Sequence, residues 1–194
     1  MTYITRTRVL ALLILCSAAP GLGDDERDRQ VRRLNELSSR LNRYATSAAT
    51  SAEREFIHER VQELLIRARE SVEDEYYFGR LAEAIDDFLD ASEQIEDAIE
   101  DGPSREDTQE RAARELEDTY FDLMQGEHFA RQSGDPHAME YIANGRRLYQ
   151  KARLAYEQEE YARARDLAEA AREIVAGLES LAQAAVRVPT PPRL

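Results

Sequence analysis

The chain has one cysteine, one lysine and no tryptophan among its 194 residues. The single cysteine, Cys16, lies in an apolar segment near the N-terminus, so the rest of the chain carries no thiol. A thiol nucleophile, a disulfide framework, a zinc knuckle and a covalently attached haem are therefore excluded beyond that segment. The glycine-rich phosphate loop and the Gly-x-Ser-x-Gly signature of many hydrolases are also missing.

Basic residues are scarce relative to acidic ones. The chain has 26 lysines and arginines against 39 aspartates and glutamates, which gives a formal net charge of −13. This balance disfavours nucleic acid and anionic lipid as partners. The longest apolar run, Val9 to Ala19, is shorter than the roughly 20 residues that cross a bilayer. We predict no nucleic-acid partner and no transmembrane segment.

The first residues have the organisation of a secretory signal. Arg6 and Arg8 precede the apolar run "VLALLILCSAA", and the small residues of "APGLG" come before the acidic "DDERD". We predict a signal peptide at residues 1–23 and a periplasmic or secreted location. Lipid attachment at Cys16 is the alternative, but lipoprotein signals carry a small residue at the position that Leu15 occupies here.

Apolar residues recur three and four positions apart along most of the remaining chain, the spacing of one face of a helix. No segment alternates with a period of two, so we predict an all-α fold with no sheet. About six helices in antiparallel hairpins form either a bundle or a short array of stacked hairpins, in one domain at 24–187. The tail at 188–194 contains three prolines and cannot continue the last helix.

Local signals give the expected helix ends and faces. Ser51 is a plausible N-cap of the second helix, and Asp135 is expected to cap a fifth helix with Pro136 at its first position. The sequence "EDEYYFGR" around Gly79 indicates a turn. The expected buried stripe of the fourth helix contains Ala113, Leu116, Tyr120, Leu123 and Ala130.

Two segments share an order of residues. Both "ARESVEDEYYFGRLAEA" from Ala68 and "ARLAYEQEEYARARDLAEA" from Ala152 have Ala-Arg, a small residue, an acidic turn, a tyrosine and then Leu-Ala-Glu-Ala. This order predicts a duplicated hairpin at 51–101 and 136–187. The alternative is that any two alanine-rich helical hairpins look alike.

The second segment has small residues at the positions where paired helices approach each other, with tyrosines near the turn; these residues are Ala152, Ala155, Tyr161, Ala164, Ala168 and Ala171. The chain from about 135 to 185 resembles tetratricopeptide-type hairpins. It is also similar to an uncharacterised alanine-rich helical domain of bacterial envelope proteins, sometimes found ahead of peptidoglycan-binding domains. The tetratricopeptide pattern has a glycine where this chain has Glu159 or Glu160. Both resemblances imply scaffolding or binding rather than catalysis.

Metal binding and acid–base catalysis are further possibilities for an acidic helical protein. Ferritin-like bundles use Glu-x-x-His on two helices, and Glu55 with His58 is the only match, because His137 and Glu140 have the reverse order. We therefore predict no metal site and no cofactor, and we interpret His58 as a residue at the flank of its helix. Paired carboxylates such as Asp86 and Asp87 are interpreted as a solvated face, so no catalytic residue is predicted.

The adjacent aromatic residues Tyr76, Tyr77 and Phe78 are the predicted protein-binding site, because three neighbouring aromatics cannot all face one core. The alternative is that they cover the end of the bundle. The sequence thus favours an exported, non-catalytic scaffold or adaptor that binds another envelope protein. A helical bundle that binds a small ligand or metal, and a periplasmic chaperone, are the alternatives.

Overall fold

The computed structural model describes residues 24–45, 51–100 and 109–186. These ranges form six helices and no strand, which confirms the all-α prediction: α1 (Asp24–Ala45), α2 (Ala52–Glu70), α3 (Glu75–Glu100), α4 (Gln109–Gln132), α5 (Ala138–Glu157) and α6 (Tyr161–Ala185). None of these helices is long and apolar enough to cross a bilayer. The predicted signal peptide and proline-rich tail lie outside the described residues.

The helices pack as two groups of three. Helices α1, α2 and α3 contact one another, and so do α4, α5 and α6. The two groups meet mainly along α3 and α6, and α6 also contacts both α4 and α5. Helix α6 is therefore the centre of the fold, which explains why so many of its residues are small and apolar.

The two groups repeat the same order of buried positions. Leu81 and Phe88 of α3 are buried in the same register as Leu167 and Ile174 of α6. The buried residues of α1 and α4 also share one spacing: Leu34, Leu37 and Leu41 in α1, and Leu116, Thr119 and Leu123 in α4. Such a repeat is what a duplicated unit would produce, and here it includes a third helix in each half. The origin of the repeat by duplication stays a prediction.

Small side chains let α6 approach its neighbours closely, as the alanine pattern predicted. Ala152, Ala155, Ala164, Ala168 and Ala171 are all buried. Gly145 on α5 brings the helix backbone so near α4 that a Cβ there would lie 3.0 Å from Cδ2 of Leu123. Larger residues at these positions would separate the helices.

Two of the expected helix ends differ in the structure. Helix α3 begins at Glu75, so the aromatic residues and Gly79 lie inside its first turns rather than in a connecting turn. Helix α5 begins at Ala138, because the Asp135 Oδ1 accepts a hydrogen bond from the His137 amide at 2.9 Å and holds the preceding residues in a turn. Ser51 caps α2 as expected, since its Oγ accepts from the Arg54 amide at 3.2 Å.

A buried arginine joins the first three helices. The Arg54 guanidinium on α2 forms an ion pair with Glu96 of α3 at 2.8 Å, and its Nε donates to the Ser92 hydroxyl at 3.1 Å. It also donates to the carbonyl oxygen of Tyr44 on α1 at 3.2 Å. Since these bonds reach α3 and α1 from a residue on α2, one side chain links the three helices.

Candidate functional site

The three adjacent aromatic residues have different environments. Phe78 is buried in the core, so its prediction as part of an exposed surface is wrong. Tyr77 is half-buried, and its hydroxyl accepts a hydrogen bond from Arg67 at 3.0 Å. Tyr76 is exposed and lies beside Arg80, 5.6 Å from the guanidinium carbon to the ring centre. Successive residues of a helix point about 100° apart, which leaves only Tyr76 available to a partner.

A second apolar surface lies on α4. Tyr120, Phe121 and Met124, which we call the α4 surface, are 50%, 56% and 60% exposed. The Tyr120 ring lies 5.8 Å from the Phe121 ring and 6.3 Å from the ring of Tyr149 on α5. These side chains form one continuous apolar area rather than isolated residues.

The sequence does not predict the α4 surface because Tyr120 is expected in the buried stripe of α4. Leu116, Leu123 and Ala130 of that stripe are buried as expected, but Tyr120 and Ala113 are not. Thr119 is buried instead of Tyr120, and its hydroxyl donates to the carbonyl oxygens of Glu115 at 2.6 Å and Ala168 at 3.2 Å. Ala113 is exposed, and Ala112 takes its place in the core. The signal in the sequence is the presence of four large apolar residues in the five positions 120–124, which one inward face cannot accommodate.

A polar cleft lies between α2 and the segment that leads into α5. Its volume is about 260 Å³, and its walls are Arg60, Glu63, Leu64, Arg67, Gly134, Asp135, Pro136, His137 and Tyr141. Two ion pairs line it: Arg67 with Asp135 at 2.6 Å, and Arg60 with Glu63 at 2.9 Å. The cleft joins segments that are far apart in the sequence, and we refer to it as the polar cleft.

The carboxylates interpreted as a solvated face are not equivalent. Asp86 accepts hydrogen bonds from Arg33 and Arg40 of α1, whereas Asp87 is half-buried between α3 and α6. Its Oδ2 lies 3.5 Å from the Ser180 hydroxyl. Burial and the negative charge of Glu173 raise the pKa of Asp87 to about 7. Asp87 therefore changes its charge near neutral pH, which a solvated carboxylate does not do.

The glutamate and histidine residues that resemble metal ligands in the sequence do not form a metal site in the described ranges. Within the described ranges, no group of three or more histidine, aspartate or glutamate side chains is placed to hold an ion. The Nε2 of His58, the nitrogen that could bind a metal, lies instead within hydrogen-bond distance of the Ser92 hydroxyl, at 3.0 Å. Burial and the nearby charge of Arg54 lower the pKa of His58 to about 4, so the imidazole is neutral at neutral pH.

The chain matches no protein-family model, no curated protein and no solved structure. The resemblance of its last two helices to tetratricopeptide-type hairpins therefore stays a prediction. Over the residues that the structure describes, the protein is an α-protein of six helices with an exposed aromatic surface on α4 and a separate polar cleft.

Proposed function

We propose that the protein is an exported, non-catalytic adaptor that binds another protein of the cell envelope through the α4 surface. The observation that carries the proposal is the continuous exposure of Tyr120, Phe121 and Met124 on one helix. Large neighbouring apolar side chains on a monomer are typical of contact surfaces, and aromatic residues contribute most to such contacts.

The charges beside the α4 surface indicate the chemistry of the partner. Glu117 and Asp118 are exposed on the turn that precedes it, and the whole chain is acidic. We expect the partner to offer an apolar groove that receives the side chains of α4, with arginine or lysine residues at its rim. Helix-in-groove recognition of this kind uses residues three and four positions apart on one helix, the spacing of Phe121 and Met124 and of Tyr120 and Met124.

Photo-crosslinking in the native cell tests the surface directly. A photoreactive amino acid at Gln125, which is exposed beside Met124, should capture a single envelope protein. The same probe at Gln62, an exposed position on α2, is the matched control and should not capture that protein. Equal capture at both positions would contradict the assignment of the α4 surface.

Binding of the captured partner should then be measured with purified proteins. We expect Phe121→Ser to weaken binding at least tenfold, which corresponds to about 1.4 kcal/mol. Ile66→Ser is the control, because Ile66 is 52% exposed on α2, outside the α4 surface. Both variants should keep the melting temperature of the parent protein. If Phe121→Ser binds as tightly as the parent, the proposal is wrong.

The export part of the proposal has its own test. Mass spectrometry of the protein from its native cell should find an N-terminus between Ala19 and Asp25 in the periplasmic fraction or the medium. An intact Met1 in the cytosol would refute export. A lipid on Cys16 would replace the soluble adaptor by one held at a membrane.

A further inference from the structure

The hydroxyl of Tyr141 has no hydrogen-bond partner among the described residues, although the side chain is only 1% exposed. Tyr141 lines the polar cleft together with Asp135, Arg60, Glu63 and Arg67, and the charges of these four side chains act on its hydroxyl. The hydroxyl is therefore directed into the cleft. A hydroxyl that opens onto a cleft and makes no hydrogen bond to the protein normally bonds to water or to a ligand.

The ring of Tyr141 is held in a fixed position. It stacks on Phe88, with centroids 4.4 Å apart and an angle of 2° between the rings, and Phe56 contacts it edge-on at 5.3 Å. Burial raises the pKa of Tyr141 above its ordinary value, so the hydroxyl stays protonated and can donate a hydrogen bond. A donor that is already fixed loses little entropy when it binds a ligand.

The walls of the polar cleft carry both signs of charge. Arg60 and Arg67 supply positive groups, and each is paired with a carboxylate, Glu63 and Asp135 respectively. A strongly charged ligand of either sign would meet one repelling group for each attracting one. A small molecule with a negative and a positive group close together would satisfy both, and the volume of about 260 Å³ limits it to the size of a small metabolite.

We infer that the polar cleft binds a zwitterionic molecule of the amino-acid class. Its carboxylate accepts a hydrogen bond from the Tyr141 hydroxyl and lies toward the two guanidinium groups, while its ammonium group lies toward Asp135 and Glu63. The cleft is separate from the α4 surface, so this binding is independent of the proposed adaptor function.

Ligand-observed NMR tests the inference with the individual proteinogenic amino acids as probes, each at about 10 mM, where a Kd near 1 mM gives almost full occupancy. We expect at least one of them to bind the full chain. Acetate and methylammonium carry only one of the two charges and should bind at least tenfold more weakly. Binding of acetate as tight as that of the best amino acid would overturn the zwitterionic class.

The variant Tyr141→Phe removes only the hydroxyl and keeps the stacked ring. We expect it to weaken binding at least tenfold and to leave the melting temperature of the free protein unchanged or slightly higher, because the hydroxyl opens onto the cleft and makes no hydrogen bond to the described residues. Tyr149→Phe is the control, since Tyr149 lies on the same helix outside the cleft. Two results would overturn the inference. One is that no amino acid binds, which would mean that water alone fills the cleft; the other is that Tyr141→Phe binds as tightly as the parent protein.

Discussion

Phe88 on α3 lies directly against Gly177 on α6: a Cβ at position 177 would come within 2.6 Å of the Phe88 Cε1. The phenyl ring cannot move aside easily because it is stacked on Tyr141. We therefore expect Gly177→Ala to push α3 and α6 apart and lower the free energy of unfolding by about 1 to 3 kcal/mol. Urea unfolding followed by circular dichroism measures this change.

The control for this variant is Gly79→Ala, another glycine inside a helix. A Cβ at Gly79 meets no atom within 4 Å. Alanine favours a helix over glycine by about 0.8 to 1.0 kcal/mol in a helix interior, so we expect Gly79→Ala to be slightly more stable than the parent protein. A Gly177→Ala protein that matched Gly79→Ala in stability would contradict the close packing of α3 on α6.

Periodicity was enough to predict the helices and most of their buried faces. The alanines of α5 and α6 illustrate why: Ala152 and Ala168 lie on stripes that recur every three or four residues, and both are buried. On α4 the periodicity is right at Leu116 and Leu123 but wrong at Tyr120. Thr119 and Tyr120 are neighbours, and the larger apolar surface of tyrosine makes it the expected core residue. Thr119 is buried because its hydroxyl finds carbonyl acceptors, which periodicity does not reveal.

The polar cleft could not be predicted from the sequence. Its ion pair between Arg67 and Asp135 joins residues 68 positions apart. Sequence spacing indicates which side chains share a face of one helix, but the cleft depends on how α2 meets the turn before α5. The unpartnered hydroxyl of Tyr141 is likewise a property of the packed structure, because any of the tyrosines could have occupied such a position.

Replacing Arg54 tests whether its side chain holds the first three helices together. Its side chain is only 3% exposed, and it bonds to Glu96, Ser92 and the Tyr44 carbonyl. Arg54→Ala removes these bonds from partly buried groups and also leaves a cavity, so we expect a loss of about 3 kcal/mol in the free energy of unfolding. Thermal or urea unfolding measures it.

The matched control is Arg114→Ala, which breaks an exposed ion pair with Glu110 within α4. Exposed pairs four residues apart contribute only about 0.3 to 0.5 kcal/mol. An Arg54→Ala protein no less stable than Arg114→Ala would show that Arg54 does not join α1, α2 and α3.

The raised pKa of Asp87 predicts how the stability of the protein depends on pH. Its pKa is about 7 in the folded protein against an ordinary value of 3.8, so the folded state binds this proton more tightly than the unfolded chain does. The contribution of Asp87 to stability is therefore most favourable below about pH 3.8 and decreases as the pH rises to about 7. Above that range the carboxylate is charged next to Glu173, Asp90 and Glu83.

Asp87→Asn tests this dependence because the amide has nearly the same shape and never becomes charged. At about pH 8 we expect the variant to be more stable than the parent by about 1 to 2 kcal/mol, since solvent that still reaches the carboxylate screens part of its charge. The difference should shrink toward zero as the pH falls to about 4. Asp118→Asn, at an exposed position on α4, is the control and should change stability little at either pH. A constant difference for Asp87→Asn would contradict the raised pKa.

Tyr76 and Phe78 are two positions apart, yet they should respond in opposite ways to replacement by alanine. Phe78 is 5% exposed and belongs to the main core, whereas Tyr76 is 52% exposed at the start of the same helix. We expect Phe78→Ala to lower the free energy of unfolding by about 3 to 5 kcal/mol through the lost burial and the cavity.

Tyr76→Ala, in contrast, should cost less than about 1 kcal/mol, since it removes an exposed ring and one long hydrogen bond of 3.4 Å to the Gln183 carbonyl oxygen. Urea unfolding of the two variants side by side compares the positions under identical conditions. Large losses in the free energy of unfolding for both variants would mean that the first turn of α3 is rotated relative to the core. Small losses for both would mean that Phe78 is at the surface, and would restore the aromatic residues at 76–78 as a binding site.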